Sequence, residues 1–404
     1  MDDTTAREFT LDYDPGEIRF GRGTVGDLGD LLAARGLASA LVLTGANVGA
    51  NPDVMAPVED GLGDVLAGVF DETTPAKTLG AALSAAERVQ AEGIEAIVAV
   101  GSGSSLDTAK VASALGSYAD PAAAAEHALS TGSVPVADDG RPTPVIAVPT
   151  TLAGADLSVI GGVGLTLDAD ADPSEIPSGG VSSRRLMPTA LCYDPDLFET
   201  TPRSVLTASA MNGFDKAVEC LYSPHATPIT DGTASRGLSL MQSGFAALPD
   251  ADPAPSSSPT PSRAWSVRST ASPPGAYRAS IIHAFGHGFS NDYDAHQGTV
   301  HGVLAPHVLR YVFSEVDGRR ALLADALGVD TAGKSAAELA EAVVDAVAGV
   351  RDDLGLPTTL RELAGLSQGD LPAIAETIHE DSLLADAPVE PSVEEIRGVL
   401  ERAW

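Results

Sequence analysis

The chain has 404 residues, which is enough for about two domains with sizeable hydrophobic cores. Its 56 acidic and 24 basic residues give a formal net charge of −32, and only four of the basic residues are lysines: Lys77, Lys110, Lys216 and Lys334. Such a surface repels nucleic acid and anionic membranes, and it is typical of proteins adapted to high salt.

Cysteine content and the absence of targeting signals predict a cytoplasmic protein. Cys192 and Cys220 form no CxxC motif and are too few for a disulfide framework, which favours a reducing compartment. The acidic start, MDDTTAREFTLDYD, does not resemble a signal peptide, and no apolar run is long enough to cross a bilayer. We therefore expect a soluble protein with a small-molecule substrate and no nucleic-acid or membrane partner.

Short apolar runs alternate with helical segments in the first half. Residues 40–44 (ALVLT), 96–100 (AIVAV) and 145–148 (VIAV) predict strands, and residues 78–93 predict a helix. Near-continuous apolar strands separated by helices indicate a parallel sheet covered on both faces.

The second half has few strand signals. Asp194-Pro195 and Thr201-Pro202 interrupt the chain, so we place a boundary near Thr200. This gives an α/β domain over residues 1–200 and a mostly helical domain over 201–404. Amphipathic helices are predicted at residues 335–354 and 392–404.

Residues 249–275 differ from the rest of the second half. They contain seven Pro and seven Ser, and their two Arg equal their two acidic residues, unlike the acidic remainder of the chain. Such a run cannot sustain a helix. It is either a flexible insertion or a frame-shifted stretch, and the sequence leaves both interpretations open.

The segment GSGSSLDTAK follows the strand at 96–100 directly. Glycines let a backbone approach a ligand, and a helix beginning near Ser104 would direct free N–H groups and its positive dipole end at a phosphate. The alternative is an ordinary Gly-rich turn. The candidate nucleotide-binding residues here are Gly101, Ser102, Gly103, Ser104, Asp107 and Lys110.

A second Ser/Thr-rich segment, VPTTLAGADLS at 148–158, follows another strand. The hydroxyls of Thr150 and Thr151 are candidates for binding a nucleotide or phosphate edge. The alternative is a turn whose Ser and Thr side chains hydrogen-bond only to their own backbone. Ligands of parallel sheets bind at the carboxyl ends of strands, which is where both segments fall.

One predicted helix, within residues 209–230, carries a lysine. Asn212, Lys216 and Glu219 share a face at spacings of four and three. In a chain with four lysines this favours a functional Lys216, while the alternative is a simple pairing of Lys216 with Glu219 or Asp215.

Residues 283–307, HAFGHGFSNDYDAHQGTVHGVLAPH, hold five of the chain's eight histidines. His283 and His287 are four apart and share a helix face. Such density indicates a metal or proton-transfer site, since imidazole is both a ligand and a near-neutral acid/base. Solvated histidines at a helix start are the alternative.

Taken together, the GSGSSLDTAK, VPTTLAGADLS and His-rich segments resemble the iron-dependent (group III) alcohol dehydrogenase superfamily. The similarity covers nearly the whole chain except residues 249–275, and the runs VECLYSPHATPIT and EIRGVLERAW resemble the maleylacetate reductase-like branch most. It implies a dehydroquinate synthase-like architecture: a Rossmann-like dinucleotide-binding domain, an all-α catalytic domain and a site in the cleft between them. It also implies NAD or NADP as cofactor and a homodimer.

The resemblance also locates a departure from the family pattern. Metal-dependent members bind Fe²⁺ or Zn²⁺ through one Asp and three His, and those positions here hold Asn212, Lys216, His283 and Gln297. Most ligands are replaced, so we expect no metal. A fixed ammonium can stabilise charge on a carbonyl oxygen in place of a cation.

The sequence therefore predicts a metal-independent NAD(P)-dependent oxidoreductase that acts on a small alcohol, carbonyl or polarised alkene. Lys216 would stabilise negative charge and His287 would move the proton, while His283, His301 and Asn212 would order the pocket. Three alternatives remain: a non-catalytic nucleotide-binding member, a metal-dependent dehydrogenase with a rebuilt His site, and a relative of the dehydroquinate synthase and glycerol-1-phosphate dehydrogenase group.

Overall fold

A computed structural model describes residues 16–245, 279–289, 293 and 296–404. The atypical segment at 249–275 lies outside the described residues. Contacts divide the described chain into two compact units, residues 16–201 and residues 202–404.

The first unit is built on strands and covering helices. Its strands are β1 (Glu17–Phe20), β2 (Ala40–Gly45), β3 (Leu66–Thr73), β4 (Ala96–Gly101), β5 (Val145–Pro149), β6 (Ile160–Gly164), β7 (Ser178–Ser182) and β8 (Ala190–Tyr193). Its helices are α1 (Leu28–Ala33), α2 (Ala46–Gly49), α3 (Pro52–Leu62), α4 (Leu79–Glu92), α5 (Gly103–Leu115), α6 (Pro121–Thr131) and α7 (Pro195–Glu199).

Six of these strands form one parallel sheet in the order β1-β8-β5-β4-β2-β3. The three strands predicted from apolar runs, β2, β4 and β5, are its central strands, and their residues are almost wholly buried. Val42, Val98 and Val148 pack in a core with the apolar faces of α1 and α3. The predicted parallel sheet is confirmed.

Capping residues set the ends of α4, the helix predicted at 78–93. The Thr78 side chain accepts a hydrogen bond from Ala81 N, and Gly93 adopts the left-handed conformation that ends many helices. The antiparallel β6–β7 hairpin was not predicted, because its sequences, IGGVG and SGGVS, are rich in glycine, which is depleted in strands.

The described part of the second unit is helical, as expected. Its helices are α8 (Arg203–Tyr222), α9 (Pro228–Phe245), α10 (Ile281–His287), α11 (Gln297–Glu315), α12 (Arg320–Ala326), α13 (Ala336–Asp353), α14 (Leu371–His379) and α15 (Val393–Ala403). Capping boxes begin α13 at Ser335 and α15 at Ser392, where the sequence predicts helix starts. The longest helix, α8, is buried along most of its length and packs against α9, α10 and α11.

Among the described residues, no helix combines the length and apolar character that a membrane span requires.

Candidate functional site

The two nucleotide-binding candidate segments are neighbours at one edge of the parallel sheet. Gly101, the last residue of β4, pairs with Pro149, the last residue of β5. The backbone N–H of Thr150 donates to the carbonyl of Gly101 across 2.9 Å. The carboxyl ends of two adjacent strands therefore present both segments together, as nucleotide sites in such sheets do.

The start of α5 has the features of a phosphate cradle. Ser102 is the N-cap, but its side chain makes no capping bond and its hydroxyl lies 2.9 Å from that of Ser104. The N–H groups of the first helical turn have no intrahelical acceptor, and no acidic residue stands there. Gly101 has φ of 129°, which a side chain rarely adopts, so the turn into α5 needs glycine. These features fit a bound pyrophosphate.

Asp107 and Lys110 hold the surrounding chain in place. Lys110 is fully buried, and its ammonium donates to the carbonyls of Ala155 and Ile160 at 2.5 and 2.9 Å. Burial lowers the pKa of this amine. Asp107 accepts a hydrogen bond from Lys77 at 3.0 Å. Lys110 thus ties α5 to the loop and hairpin that follow β5, and Asp107 ties α5 to the segment before α4, which is an arrangement for shaping a site.

Thr150 and Thr151 are buried behind the end of β5. The carbonyl of Thr150 accepts a hydrogen bond from the Thr201 hydroxyl at 2.8 Å. Farther along the same segment, buried Asp156 accepts a hydrogen bond from the Tyr193 hydroxyl. The segment is thus anchored at two points, with the threonines held beside Gly101.

In the second unit, Glu219 anchors the first of the clustered histidines. Its carboxylate lies 2.6 Å from Nδ1 of His283 and also accepts the backbone N–H groups of Ser280, Ile282 and His283. Burial would raise the pKa of Glu219, but His283 and the backbone donors lower it overall. The carboxylate therefore fixes both the start of α10 and the orientation of the His283 ring.

His301 completes a buried group with His283 and Asp215. The two imidazole rings meet edge to face with centroids 4.5 Å apart, and Nδ1 of His301 lies 3.4 Å from Oδ2 of Asp215. Burial moves the pKa of His301 well below its usual value and that of Asp215 well above. Neither oxygen of Asp215 has a hydrogen-bond partner among the described residues. Burial therefore favours the neutral form of both groups.

Asn212, Lys216 and Gln297 lie beside this group. The Asn212 side-chain amide donates to Oε1 of Gln297 across 3.3 Å. Lys216 is half-buried, whereas the positions on either side of it in α8 are buried. Burial is the main cause that lowers the pKa of His283 and of His301. The positive charge of Lys216 lowers both pKa values further, so its ammonium lies near both rings.

The remaining histidines of the cluster have different surroundings. His287 is 43% exposed at the end of α10, with its Nδ1 atom 2.8 Å from Oδ2 of Asp381. His296 is exposed at the N-cap of α11. His307 is partly buried near Arg310, Arg351 and Arg402, and burial lowers its pKa to about 4. The structure thus gathers His283, His301 and Lys216, with His287 close enough to lower the pKa of both rings.

The donor set does not fit the metal that the resemblance implies. Two of the four positions, Asn212 and Gln297, hydrogen-bond to each other, and a third is the cation Lys216. Within the described ranges, no three His, Cys, Asp or Glu side chains converge in a way that could hold a metal ion. Of these four positions, only His283 has a side chain that commonly binds such a metal.

Sequence reasoning missed two of the residues that surround this group. Asp381 contacts His287 from a segment 94 residues later, and no periodicity connects the two. The sequence indicated Asp215 only as an alternative pairing partner of Lys216. Its position in α8, three residues after Asn212 and two before buried Ala217, gave no signal that it faces His301.

The sequence matches family profiles over nearly its full length. The profile for the iron-containing alcohol dehydrogenase matches residues 15–195, and that for the Fe-containing alcohol dehydrogenase family C-terminal domain matches residues 206–404.

Individual relatives agree with these profiles. The chain is 29% identical to maleylacetate reductase from Pseudomonas aeruginosa over 387 residues, covering 92% of each protein. It is 25% identical to the NAD-dependent methanol dehydrogenase of Bacillus methanolicus over 386 residues, covering 95% of this chain and 97% of that enzyme. The fold is similar to that of 1,3-propanediol oxidoreductase, with a TM-score of 0.83 at 23% identity over 98% of this chain and 100% of that one. The chain belongs to the iron-containing alcohol dehydrogenase family and is an oxidoreductase of the alcohol dehydrogenase/reductase type.

Proposed function

We propose that this protein is a metal-independent, NAD(P)-dependent oxidoreductase of its family, acting on a small alcohol, carbonyl compound or polarised alkene. The observation that carries the proposal is the 3.3 Å hydrogen bond between Asn212 and Gln297 beside Lys216. An amide pair and an ammonium occupy three of the positions at which metal-dependent members bind their cation. Charge stabilisation then falls to Lys216.

The nicotinamide cofactor, when bound, supplies or accepts the hydride. The free N–H groups at the start of α5, with the glycines Gly101 and Gly103, would hold its pyrophosphate. Ser102, Ser104, Thr150 and Thr151 supply hydroxyls at the same edge of the sheet. The similarity to an NAD-dependent methanol dehydrogenase supports a nicotinamide cofactor. The proposal covers both NAD and NADP.

Lys216 would stabilise the negative charge that develops on the substrate oxygen during hydride transfer to a carbonyl. Its half-buried ammonium acts from a surrounding of low polarity, where a fixed charge is worth more than in water. The neutral state of His283 and His301 supports this role, because no second buried cation competes with Lys216 for the same oxygen.

His287 is the proposed proton donor or relay. Its Nδ1 atom is held 2.8 Å from Asp381, and its partial exposure gives the other ring nitrogen access to solvent and substrate. A carboxylate that accepts from one ring nitrogen fixes the orientation of the ring and leaves the other nitrogen to face the substrate. His283 and His301, held by Glu219 and Asp215, would order the pocket wall.

Replacement of Lys216 tests the proposal. Lys216→Met keeps the length of the side chain and removes its charge. We expect kcat with the best alcohol or aldehyde substrate to fall by about 10²-fold to 10³-fold, while NADH binding stays unchanged. Lys334→Met, at an exposed lysine just before α13, is the matched control and should leave kcat unaltered. Unchanged turnover in Lys216→Met would remove the electrostatic role, and NADH binding without turnover across a broad substrate panel would favour a non-catalytic member.

A further inference from the structure

The first unit contains a cavity of about 880 Å³ at the edge of the sheet opposite the nucleotide-binding candidates. Its walls come from residues just before β4, β5 and β8, namely Glu95, residues 141–144 and residues 185–189, together with the chain after α1. In a parallel sheet these amino ends lie on the far side from Gly101 and Pro149, a strand length of about 15–20 Å away. The cavity is therefore separate from the edge that would hold the dinucleotide.

The charge of this cavity is opposite to that of the chain. Three arginines, Arg35, Arg141 and Arg185, line it against a single acid, Glu95. In a protein with 56 acidic and 24 basic residues, three guanidinium groups around one cavity are a local reversal of charge.

Two of the three guanidinium groups have no carboxylate partner among the described residues. Arg185 donates to the backbone carbonyls of Ala137 and Gly140, which orient it without neutralising it. Arg141 makes no hydrogen bond or ion pair with any described residue. Arg35, by contrast, is paired with Glu17 at 2.6 Å. In so acidic a chain, two uncompensated guanidinium groups at one cavity indicate that the missing anions come from a ligand.

The other walls are apolar or already hydrogen-bonded. Leu37, Pro142, Pro144 and Met187 supply aliphatic surface, while the Ser113 hydroxyl donates to the carbonyl of Thr143 at 2.6 Å. The Glu95 carboxylate accepts the backbone N–H of Ala38 at 2.5 Å. The volume is within the range of small-molecule sites in proteins.

From these contacts we infer that the cavity is a second ligand site, which binds a small organic anion with two carboxylate or phosphate groups on an apolar carbon skeleton. Arg141 and Arg185 hold the two anionic groups, and the prolines and Met187 contact the carbon skeleton. The inference does not depend on the hydride-transfer chemistry proposed above.

Calorimetric titration of the full-length protein with succinate tests this inference, with acetate as the single-carboxylate comparison. We expect saturable binding of one succinate per chain, at least about tenfold tighter than acetate, and unchanged in the presence of excess NADH. Raising the salt concentration should weaken it, because the contacts are between partly exposed charges.

Arg141→Gln is the decisive variant, because Arg141 makes no hydrogen bond or ion pair with the described residues. It should weaken succinate binding by about tenfold or more without changing the unfolding temperature. Arg88→Gln is the control, since Arg88 pairs with Glu92 elsewhere in the same unit, and it should bind succinate as the wild type does. Succinate binding that is absent in the wild type, equal in Arg141→Gln, or displaced by NADH would overturn the inference.

Discussion

Nδ1 of His283 lies 2.6 Å from Oε2 of Glu219, and both side chains are buried in the second unit. The neutral imidazole donates its Nδ1–H to the carboxylate, which leaves Nε2 as the acceptor nitrogen. Because Glu219 also accepts three backbone N–H groups at the start of α10, a single carboxylate sets both the helix position and the ring tautomer.

Glu219→Gln should therefore damage both stability and turnover. An amide N–H would face backbone donors, and we expect the free energy of unfolding to fall by about 2–4 kcal/mol, measured by urea denaturation at pH 7. Since the folded pKa of Glu219 is lowered, its contribution is complete above the unfolded pKa and is lost as pH falls through the folded pKa. The loss caused by the substitution should therefore shrink at acid pH.

The control for that experiment is Glu341→Gln. Glu341 is exposed and pairs with Arg310 at the surface, so its replacement should change stability little. Equal effects of the two substitutions at pH 7 would contradict the anchoring role of Glu219.

Asp215→Asn should stabilise the protein at neutral pH. Burial raises the pKa of Asp215 well above its usual value, so the folded state keeps its proton after the unfolded state has lost it. Between the unfolded and the folded pKa, each pH unit costs about 1.4 kcal/mol of stability, a cost that asparagine avoids. The variant should thus match the wild type near pH 4 and exceed it at pH 7 in urea unfolding; a constant difference across this range would contradict a neutral Asp215.

His287→Gln should lower kcat by about 10²-fold to 10⁴-fold and flatten the pH dependence of turnover, if His287 moves the proton. His225→Gln is a close control, because His225 also contacts an aspartate, Asp386, at 2.9 Å and is similarly exposed. Steady-state kinetics from pH 5 to 9 measure both. Equal kcat values for the two variants would remove His287 from the proposed mechanism.

Salt should stabilise the fold. A net charge of −32 gives strong self-repulsion, which added salt screens. Thermal unfolding followed by circular dichroism should show a higher midpoint in 2 M than in 0.1 M potassium chloride, and a midpoint that is independent of salt would contradict the high-salt interpretation of the composition.

The sequence predicted those parts of the fold that depend on local patterns. Apolar runs located the central strands β2, β4 and β5. Composition and amphipathic patterns located the helices that the structure caps at Thr78 and Ser335. The β6–β7 hairpin was not predicted, because its glycines are required by packing against distant segments. A Cβ at Gly164, for example, would lie 2.7 Å from the carbonyl oxygen of Ala76.

The site was predictable only where neighbours in sequence are neighbours in space. The turn from Gly101 into α5 was recognised from local sequence. The inward direction of Lys110, and the contact of His287 with Asp381, depend on tertiary packing between distant segments. Those contacts had no sequence signal.

The metal content of the active protein tests the central claim most directly. Protein purified without chelator and analysed by mass spectrometry for Fe and Zn should hold far less than one metal ion per chain. It should keep its full NAD(P)-dependent activity after dialysis against EDTA. Stoichiometric iron or zinc, with activity lost on EDTA treatment and restored by the metal, would contradict the account.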